Sequence, residues 1–444
     1  MSREKERVSA LKVSIKQGSA SSAATSLGDS SMTPFSLALG ANSFDIGVLN
    51  AVTGLIGPVA QLWGSNKEYG ISRQKLLILF EIIQAFLWIP IAAFALYAYH
   101  SGTGRVIVYA SIIVYAVIFI FANAAYPAWF SWMGDVVKEN ERGKYFGKRN
   151  AIIGAVGLII IILASLALDY SKSAAILLPA FALLFGLASV ARLVSAGYFK
   201  RQYEPKNTQK AVKKESFIMF MKEKSNLSRF AWALTIFNFS LMIASPFFAV
   251  YMLTKLGFSY FAYTLVIMSN TAFYLIFTPI VGKFADKYGS TPLLKISCWL
   301  FALSPPLWLL SKNPAFLIFV PQLISGLANA TLSIATTNFS YEAISKQKRG
   351  QFIAYINILV GVGIFVGSLL GGALLSYLPQ GENVFFSVFI ISSIARAIVA
   401  LTIIPRVKAE KKFKSKLPRF SFNMFHPLKT IHTDMNFIRR VQSA

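Results

Sequence analysis

Long apolar runs separated by short polar breaks set the pattern of this chain. Leu76 to Tyr99 is one such run, and Ile107 to Ala122, Ala151 to Leu168 and Phe385 to Ile404 are others. About 20 apolar residues in a helix cross the hydrocarbon core of a bilayer. Only helices or closed barrels satisfy every backbone polar group in lipid. Unbroken runs of this length exclude the alternation of a barrel strand. About twelve candidate spans follow by length and apolarity. They run roughly 18–40, 44–64, 75–99, 106–133, 149–169, 174–198, 228–254, 259–284, 292–311, 314–341, 351–378 and 383–404. The pattern predicts an all-α polytopic membrane protein.

Composition agrees with that pattern. Of 444 residues, 55% are hydrophobic and 14% charged, against about 25% charged in a soluble domain. The formal net charge of +26 would suggest nucleic acid in a soluble protein. Here the basic residues lie in alternate loops: Lys67, Arg73 and Lys75; Lys138, Arg142, Lys144, Lys148 and Arg149; the stretch from Lys200 to Arg229; and Lys283, Lys287, Lys346, Lys348 and Arg349. The loops between carry only Arg105, Lys172, Lys255 and Lys312. The positive-inside rule then puts both termini in the cytoplasm of a multi-pass cell-membrane protein, and no nucleic-acid partner is expected. The mixed-charge start, Arg3 to Arg7, has no apolar core with a cleavage site, so no signal peptide is expected.

The loop at about 199–227 divides the spans six and six. Within it, Phe217, Ile218, Phe220 and Met221 lie among Lys213, Lys214, Lys222 and Lys224, predicting a short amphipathic helix on the inner membrane face. The expected organisation is a six-helix bundle over 1–198, this linker over 199–227, a second bundle over 228–404 and a basic tail over 405–444. Phe413, Phe420, Phe422 and Phe425 are interleaved in the tail, which suits contact with anionic lipid.

The halves resemble each other. Asp135, Arg142-Gly143 and Asn150 match Glu342, Arg349-Gly350 and Asn357, and 342 − 135, 349 − 142 and 357 − 150 all equal 207. Thr33-Pro34-Phe35 matches Ser245-Pro246-Phe247, and Arg192 matches Arg396. Similar halves can rock about a site at their interface, as alternating access requires.

The stretch from Gly282 to Gly289, Gly-Lys-Phe-Ala-Asp-Lys-Tyr-Gly, resembles the loop signature of the major facilitator superfamily. The Arg142-Gly143 and Arg349-Gly350 loops are similar to that family's loops after spans four and ten. The first-half loop, Gly64 to Gly70, is a residue shorter and has Glu68 where the family has aspartate. The resemblance implies two pseudo-symmetric six-helix bundles, with spans one, four, seven and ten lining a central cavity. It implies gating roles for Asp286, Arg142 and Arg349. Family exporters often carry a glycine-proline pattern in span five and an arginine in span four. Both are missing here, which favours uptake over export.

Span one is unusually polar. Ser19, Ser22, Ser26, Asp29 and Thr33 fall at steps of 3, 4, 3 and 4 and share a helical face. Such a stripe faces protein or water rather than lipid, as cavity lining or as interhelical packing. Asp29 is the candidate proton-coupling residue. A carboxylate at membrane depth must be protonated, paired or wet, and low dielectric makes proton binding and release feasible. Its alternative is a structural pair with a group such as Lys16. Glu81 is expected to bridge to Arg73 or Lys75, and Arg192 and Arg396 to anchor the inner face. In span ten Asn329, Ser333, Thr336 and Ser340 share a face, with Gln322 nearby. Asn123, Tyr126, Asn238, Asn270 and Tyr274 could join them around a polar, largely uncharged solute, or hydrogen-bond between helices.

A lone cysteine, Cys298, rules out an internal disulfide. His100, His426 and His432 lie outside the spans, so no metal is expected. No phosphate loop or nucleophile–base set stands out, so neither a cofactor nor enzymatic activity is expected. The expectation is a monomeric secondary transporter whose partners are a small-molecule substrate and membrane lipids. A non-transporting sensor of the same fold, an uncoupled facilitator and an exporter are the alternatives. A thiol tag at Lys213 should be protected from an impermeant external reagent and one at Lys312 labelled; the reverse pattern would overturn the orientation.

Overall fold

A computed structural model describes residues 3–67, 72–138, 141–205, 216–223, 225–345, 348–378 and 383–408. All of its regular structure is helical among these residues. The first half comprises α1 (Arg3–Leu27), α2 (Met32–Ala38), α3 (Ser43–Lys67), α4 (Arg73–Ser101), α5 (Arg105–Val136), α6 (Arg142–Ser173) and α7 (Leu177–Arg201). A short helix, α8 (Phe217–Lys222), precedes α9 (Asn226–Met242), α10 (Phe247–Val250), α11 (Tyr260–Tyr288) and α12 (Ser290–Leu307). The chain continues through α13 (Pro314–Leu317), α14 (Leu323–Ala343), α15 (Arg349–Tyr377) and α16 (Val384–Thr402). Among the described residues, ten segments are long and apolar enough to cross a membrane. The polar α1–α2 segment and the 18-residue α12 complete a twelve-span layout.

The repeat landmarks mark breaks in the helices. Residues 29–31 form a 3-10 turn after Gly28, and α2, carrying Pro34, begins just beyond it. Likewise α9 stops at Met242, and Pro246 precedes the first residue of α10. Proline lacks the N–H that would continue a helix, and its ring suits a helix start.

The chain folds as two compact units. One contains Met1–Met219, Asn238–Leu265 and Ala354–Phe389; the other contains Phe220–Phe237, Val266–Ile353 and Ile390–Ala444. In the first unit α4 packs on α7 and α5, α3 on α5, and α1 on α6 and α7. This unit also holds contacts between the sequence halves. Methyl groups on Gly367 and Gly371 of α15 would collide with the carbonyl oxygens of Phe239 and Ile243, so these glycines let α15 lie against α9. At the end of α6 the Asp169 carboxylate accepts the backbone N–H groups of Tyr260 at 2.6 Å and Phe261 at 2.9 Å. It thereby satisfies orphan donors at the N-terminus of α11, where a negative charge is favoured.

In the second unit α12 packs on α14. Phe230 stacks on Phe339 with centroids 4.0 Å apart, and Arg396, 2% exposed, donates to the Phe301 carbonyl at 2.8 Å. In the expected amphipathic segment, Phe217 packs on Tyr355 and Phe220 on Phe352, while Ile218 and Met219 stay exposed. The tail beyond residue 408 lies outside the described residues.

Candidate functional site

Five helices of the first unit line an open cavity of about 440 Å³. α1 contributes Gln17, Ser21, Ser22 and Thr25, and α4 contributes Glu81 and Gln84. Tyr126 and Trp129 come from α5, Arg149 and Ile153 from α6, and Arg192 from α7. The floor between these walls is apolar, built on Leu77, Ala122, Ala125 and Phe199.

Arg192 is the centre of the charge in this wall. It is 5% exposed and lies about two and a half turns inside the end of α7. One guanidinium nitrogen stands 3.4 Å from Glu81 Oε2 and the other 3.6 Å from Asp29 Oδ2. The same nitrogens donate to Ser21 Oγ at 3.1 Å and Thr25 Oγ1 at 3.4 Å. Both carboxylate distances exceed the 2.7–2.9 Å or so of a strong charge-assisted bond. Arg192 thus bridges two acids and is gripped tightly by neither. Tyr115 and Thr25 present hydroxyls to Asp29. The break after Gly28 sets Asp29 outside the regular turn of α1, facing α7.

Three sequence expectations change here. Glu81 pairs with Arg192 rather than with Arg73 or Lys75, and Arg192 joins two acids in the bundle interior rather than anchoring the inner face. Asp29 takes Arg192, not Lys16, as its partner. Arg73, fully buried, is committed elsewhere. It donates to Asp135 Oδ2 at 2.6 Å, Ser131 Oγ at 3.0 Å and the Pro205 carbonyl at 3.1 Å, and meets Glu204 Oε1 at 3.4 Å. That cluster binds the start of α4 to the end of α5 and to the segment after α7.

The other named residues divide into several groups. Ser22 and Ser26 donate to the Ile153 and Gly157 carbonyls at 3.0 and 3.1 Å, holding α1 against α6. Asn123 donates to Phe119 O and accepts from Gln61, so its amide links α5 to α3. Tyr126 is 51% exposed beside the cavity. Thr33 sits beyond the break, in α2, and Asn238 is half-buried on α9. In the second unit Asn270 donates to Gln322 at 3.1 Å and accepts from Asn329 at 3.1 Å, and the Tyr274 hydroxyl meets Ser333 at 3.5 Å. These five residues form one polar seam between α11 and the α13–α14 segment. Thr336 bonds its own helix at Leu332 O and Ser333 O.

At the helix ends Asp286 is exposed in the last turn of α11, and Gly289, with φ of 86°, makes the turn into α12. Arg349 donates to the Tyr341 and Ile344 carbonyls at 3.3 and 3.2 Å and covers the Tyr341 ring, capping the end of α14. The Arg142 side chain lies outside the described residues.

Gln17, Ser21, Thr25, Gln84, Trp129 and Arg149 were not singled out from sequence. The signal for three of them was present, because Gln17, Ser21, Thr25 and Asp29 recur every fourth residue.

Residues 230–439 match the Major Facilitator Superfamily model. The solved structures share the fold of nearly the whole chain. A mutant of nucleoside transporter NupG superposes with a TM-score of 0.69 at 15% identity, covering 89% of this chain and 100% of that one. The matched stretch, just under half of the chain, thus resembles the major facilitator superfamily. A POT family transporter in complex with 5-aminolevulinic acid gives a TM-score of 0.66 at 13% identity, covering 90% of this chain and 96% of that one. Among curated relatives, the class H tetracycline resistance protein of Pasteurella multocida is 30% identical over 107 residues, 22% of this chain and 24% of the relative. Vacuolar basic amino acid transporter 2 of Saccharomyces cerevisiae is 31% identical over 110 residues, 24% of this chain and 23% of the relative. The matched stretch therefore spans about a quarter of these relatives' length. The family match and the apolar helices make this chain a multi-pass membrane protein.

Removing one partner of a buried ion pair leaves a charge uncompensated and costs about 3–5 kcal/mol. Arg73→Ala should therefore lower the melting temperature of the purified protein sharply. Arg73→Lys should recover only part of the loss, because an ammonium cannot reproduce the guanidinium fork. A wild-type melting curve for Arg73→Ala would remove the cluster from the stability of the fold.

Proposed function

We propose that this chain is a proton-coupled secondary transporter that moves a small polar solute across the cell membrane by alternating access, without enzymatic chemistry. One observation carries the reading: a single buried guanidinium is shared by two carboxylates at the wall of a polar cavity. With both acids ionised, Asp29, Glu81 and Arg192 carry one net negative charge. One guanidinium cannot hold two carboxylates at full strength, so the more weakly held acid is the one that takes up a proton. Protonation of one acid leaves Arg192 held by the other. Asp29 lies at the α1 break and Glu81 on α4, so the proton's position decides which helix α7 is tied to. That is a two-state element of the kind alternating access needs.

In this reading the halves 1–198 and 228–404 form the two bundles, joined by 199–227, with both termini cytoplasmic. Asp286, Arg142 and Arg349 lie at the inner helix ends and gate access from that side. The seam of Asn270, Gln322, Asn329, Tyr274 and Ser333 is a separate polar cluster within the second unit. The name of one relative, the class H tetracycline resistance protein, favours a second reading in which the solute is exported. The same trio would serve either direction.

Asp29→Asn fixes the neutral form of one acid. With a solute identified by uptake screening in proteoliposomes, the variant should lose accumulation driven by a pH gradient while keeping counterflow exchange, which requires no net proton release. Accumulation at the wild-type level would make Asp29 structural and sink the coupling scheme.

A further inference from the structure

Arg149 is a second buried guanidinium in the same cavity, and proton coupling gives it no task. It is 8% exposed and lies over the Trp129 ring, 4.6 Å from the centroid. Its Nε donates to Ser14 Oγ at 3.3 Å. Among the described residues, no carboxylate lies within ion-pair distance of Arg149, whereas Arg73 and Arg192 each have two. A guanidinium has five N–H donors, and a buried charge left without an anion is unfavourable.

The neighbouring helix is shaped for this side chain. A methyl group on Gly18 would collide with Ile153 Cδ1 and stand 2.6 Å from Arg149 Nη2. The guanidinium is therefore seated between the bare backbone of α1 and the face of Trp129, with its position fixed before anything binds. The cavity also contains unmet hydrogen-bonding groups. Gln17 Oε1 and Gln84 Oε1 are buried acceptors without a partner, and Arg192 Nε is a buried donor without one. These residues are 4%, 1% and 5% exposed.

We infer that Arg149 anchors the carboxylate of the transported solute, a small organic monocarboxylate whose hydroxyl or amino groups donate to Gln17 and Gln84. This rests on the proton-coupled reading and narrows its polar solute to an anion. A guanidinium fork matches a carboxylate bidentately. A dianion such as a phosphate monoester fits less well, because Arg192 is already engaged and Glu81 lines the same wall. Trp129 and Tyr126 offer aromatic faces to the rest of the solute.

The charges link the two ligands. The charged groups at the cavity are Glu81, Arg149 and Arg192, with Asp29 behind Arg192; the Tyr115 hydroxyl meets Asp29, Tyr126 lines the cavity, and the Tyr145 hydroxyl donates to the Leu11 carbonyl. Fully ionised, the four charged side chains sum to zero. One bound proton leaves one net positive charge, and one monocarboxylate cancels it. Proton and anion therefore favour each other's binding, and by linkage the effect is reciprocal. The coupled cycle carries one proton with one anion and moves no net charge.

The test uses the full chain in lipid nanodiscs and matched probes: lactate against lactamide, benzoate against benzamide, and nicotinate against nicotinamide. Binding is followed by melting temperature and by tryptophan fluorescence at acidic and neutral pH. At least one carboxylate should bind more tightly than its amide by on the order of tenfold, as expected for hydrogen bonds to a charged group, and more tightly at acidic pH. Arg149→Gln should erase that preference. Gly18→Ala should weaken carboxylate binding by displacing the guanidinium, with its own unliganded melting temperature checking the fold. No carboxylate preference in the wild type, or an undiminished preference in Arg149→Gln, overturns the inference. A carboxylate that binds through Arg149 but is not accumulated under a pH gradient would sink the coupling scheme alone. A neutral solute accumulated equally well by Arg149→Gln would sink the anion anchor alone.

Discussion

Arg192 brings a positive charge into the interior of a helical bundle, and the arrangement around it follows from the need to neutralise that charge away from water. Asp29 and Glu81 answer it from two different elements, at 3.6 and 3.4 Å. Ser21 and Thr25 complete the shell from α1. Asp29 reaches α7 from the 3-10 turn that follows Gly28. Packing among α1, α4 and α7 and the polarity of the cavity thus have a common cause.

Close helix contact frames this charged centre. Gly157 lets Ser22 and Ser26 approach α6, and Gly367 and Gly371 let α15 approach α9. Without a hydrophobic force to separate helix from lipid, such small residues and interhelical hydrogen bonds hold membrane helices together. Asp169 adds an electrostatic tie by capping α11. At the helix ends, Arg73 with Asp135 and Glu204, and Arg349 on the last carbonyls of α14, close off termini that would otherwise leave polar groups unmet.

The helical class and its spans were legible in the sequence because hydrocarbon thickness fixes the length of an apolar run. The repeat was legible because proline and glycine mark the same breaks in both halves. The site was only partly legible. A polar stripe shows that a helix has a non-lipid face, but not its rotation toward a cavity or a neighbour. The 3, 4, 3, 4 stripe selected Ser22 and Ser26, which bond to α6, while the stripe at every fourth residue faces Arg192. The partner of Glu81 lies 111 residues away, beyond any local spacing rule. Basic residues near Glu81 in sequence pointed to a nearby salt bridge, but Arg73 is held by Asp135 and Glu204 instead. Arg149 was counted among the basic loop residues because it lies near a span end, although its guanidinium is buried against Trp129.

The central claim is that Asp29, Glu81 and Arg192 hold one exchangeable proton. Infrared difference spectroscopy on the purified protein, recorded across a pH step, reads it directly. The account predicts one protonated-carboxyl stretch that shifts in heavy water, appears at acidic pH, and is altered or lost in both Asp29→Asn and Glu81→Gln. The absence of such a band, or a band that neither substitution changes, would contradict it.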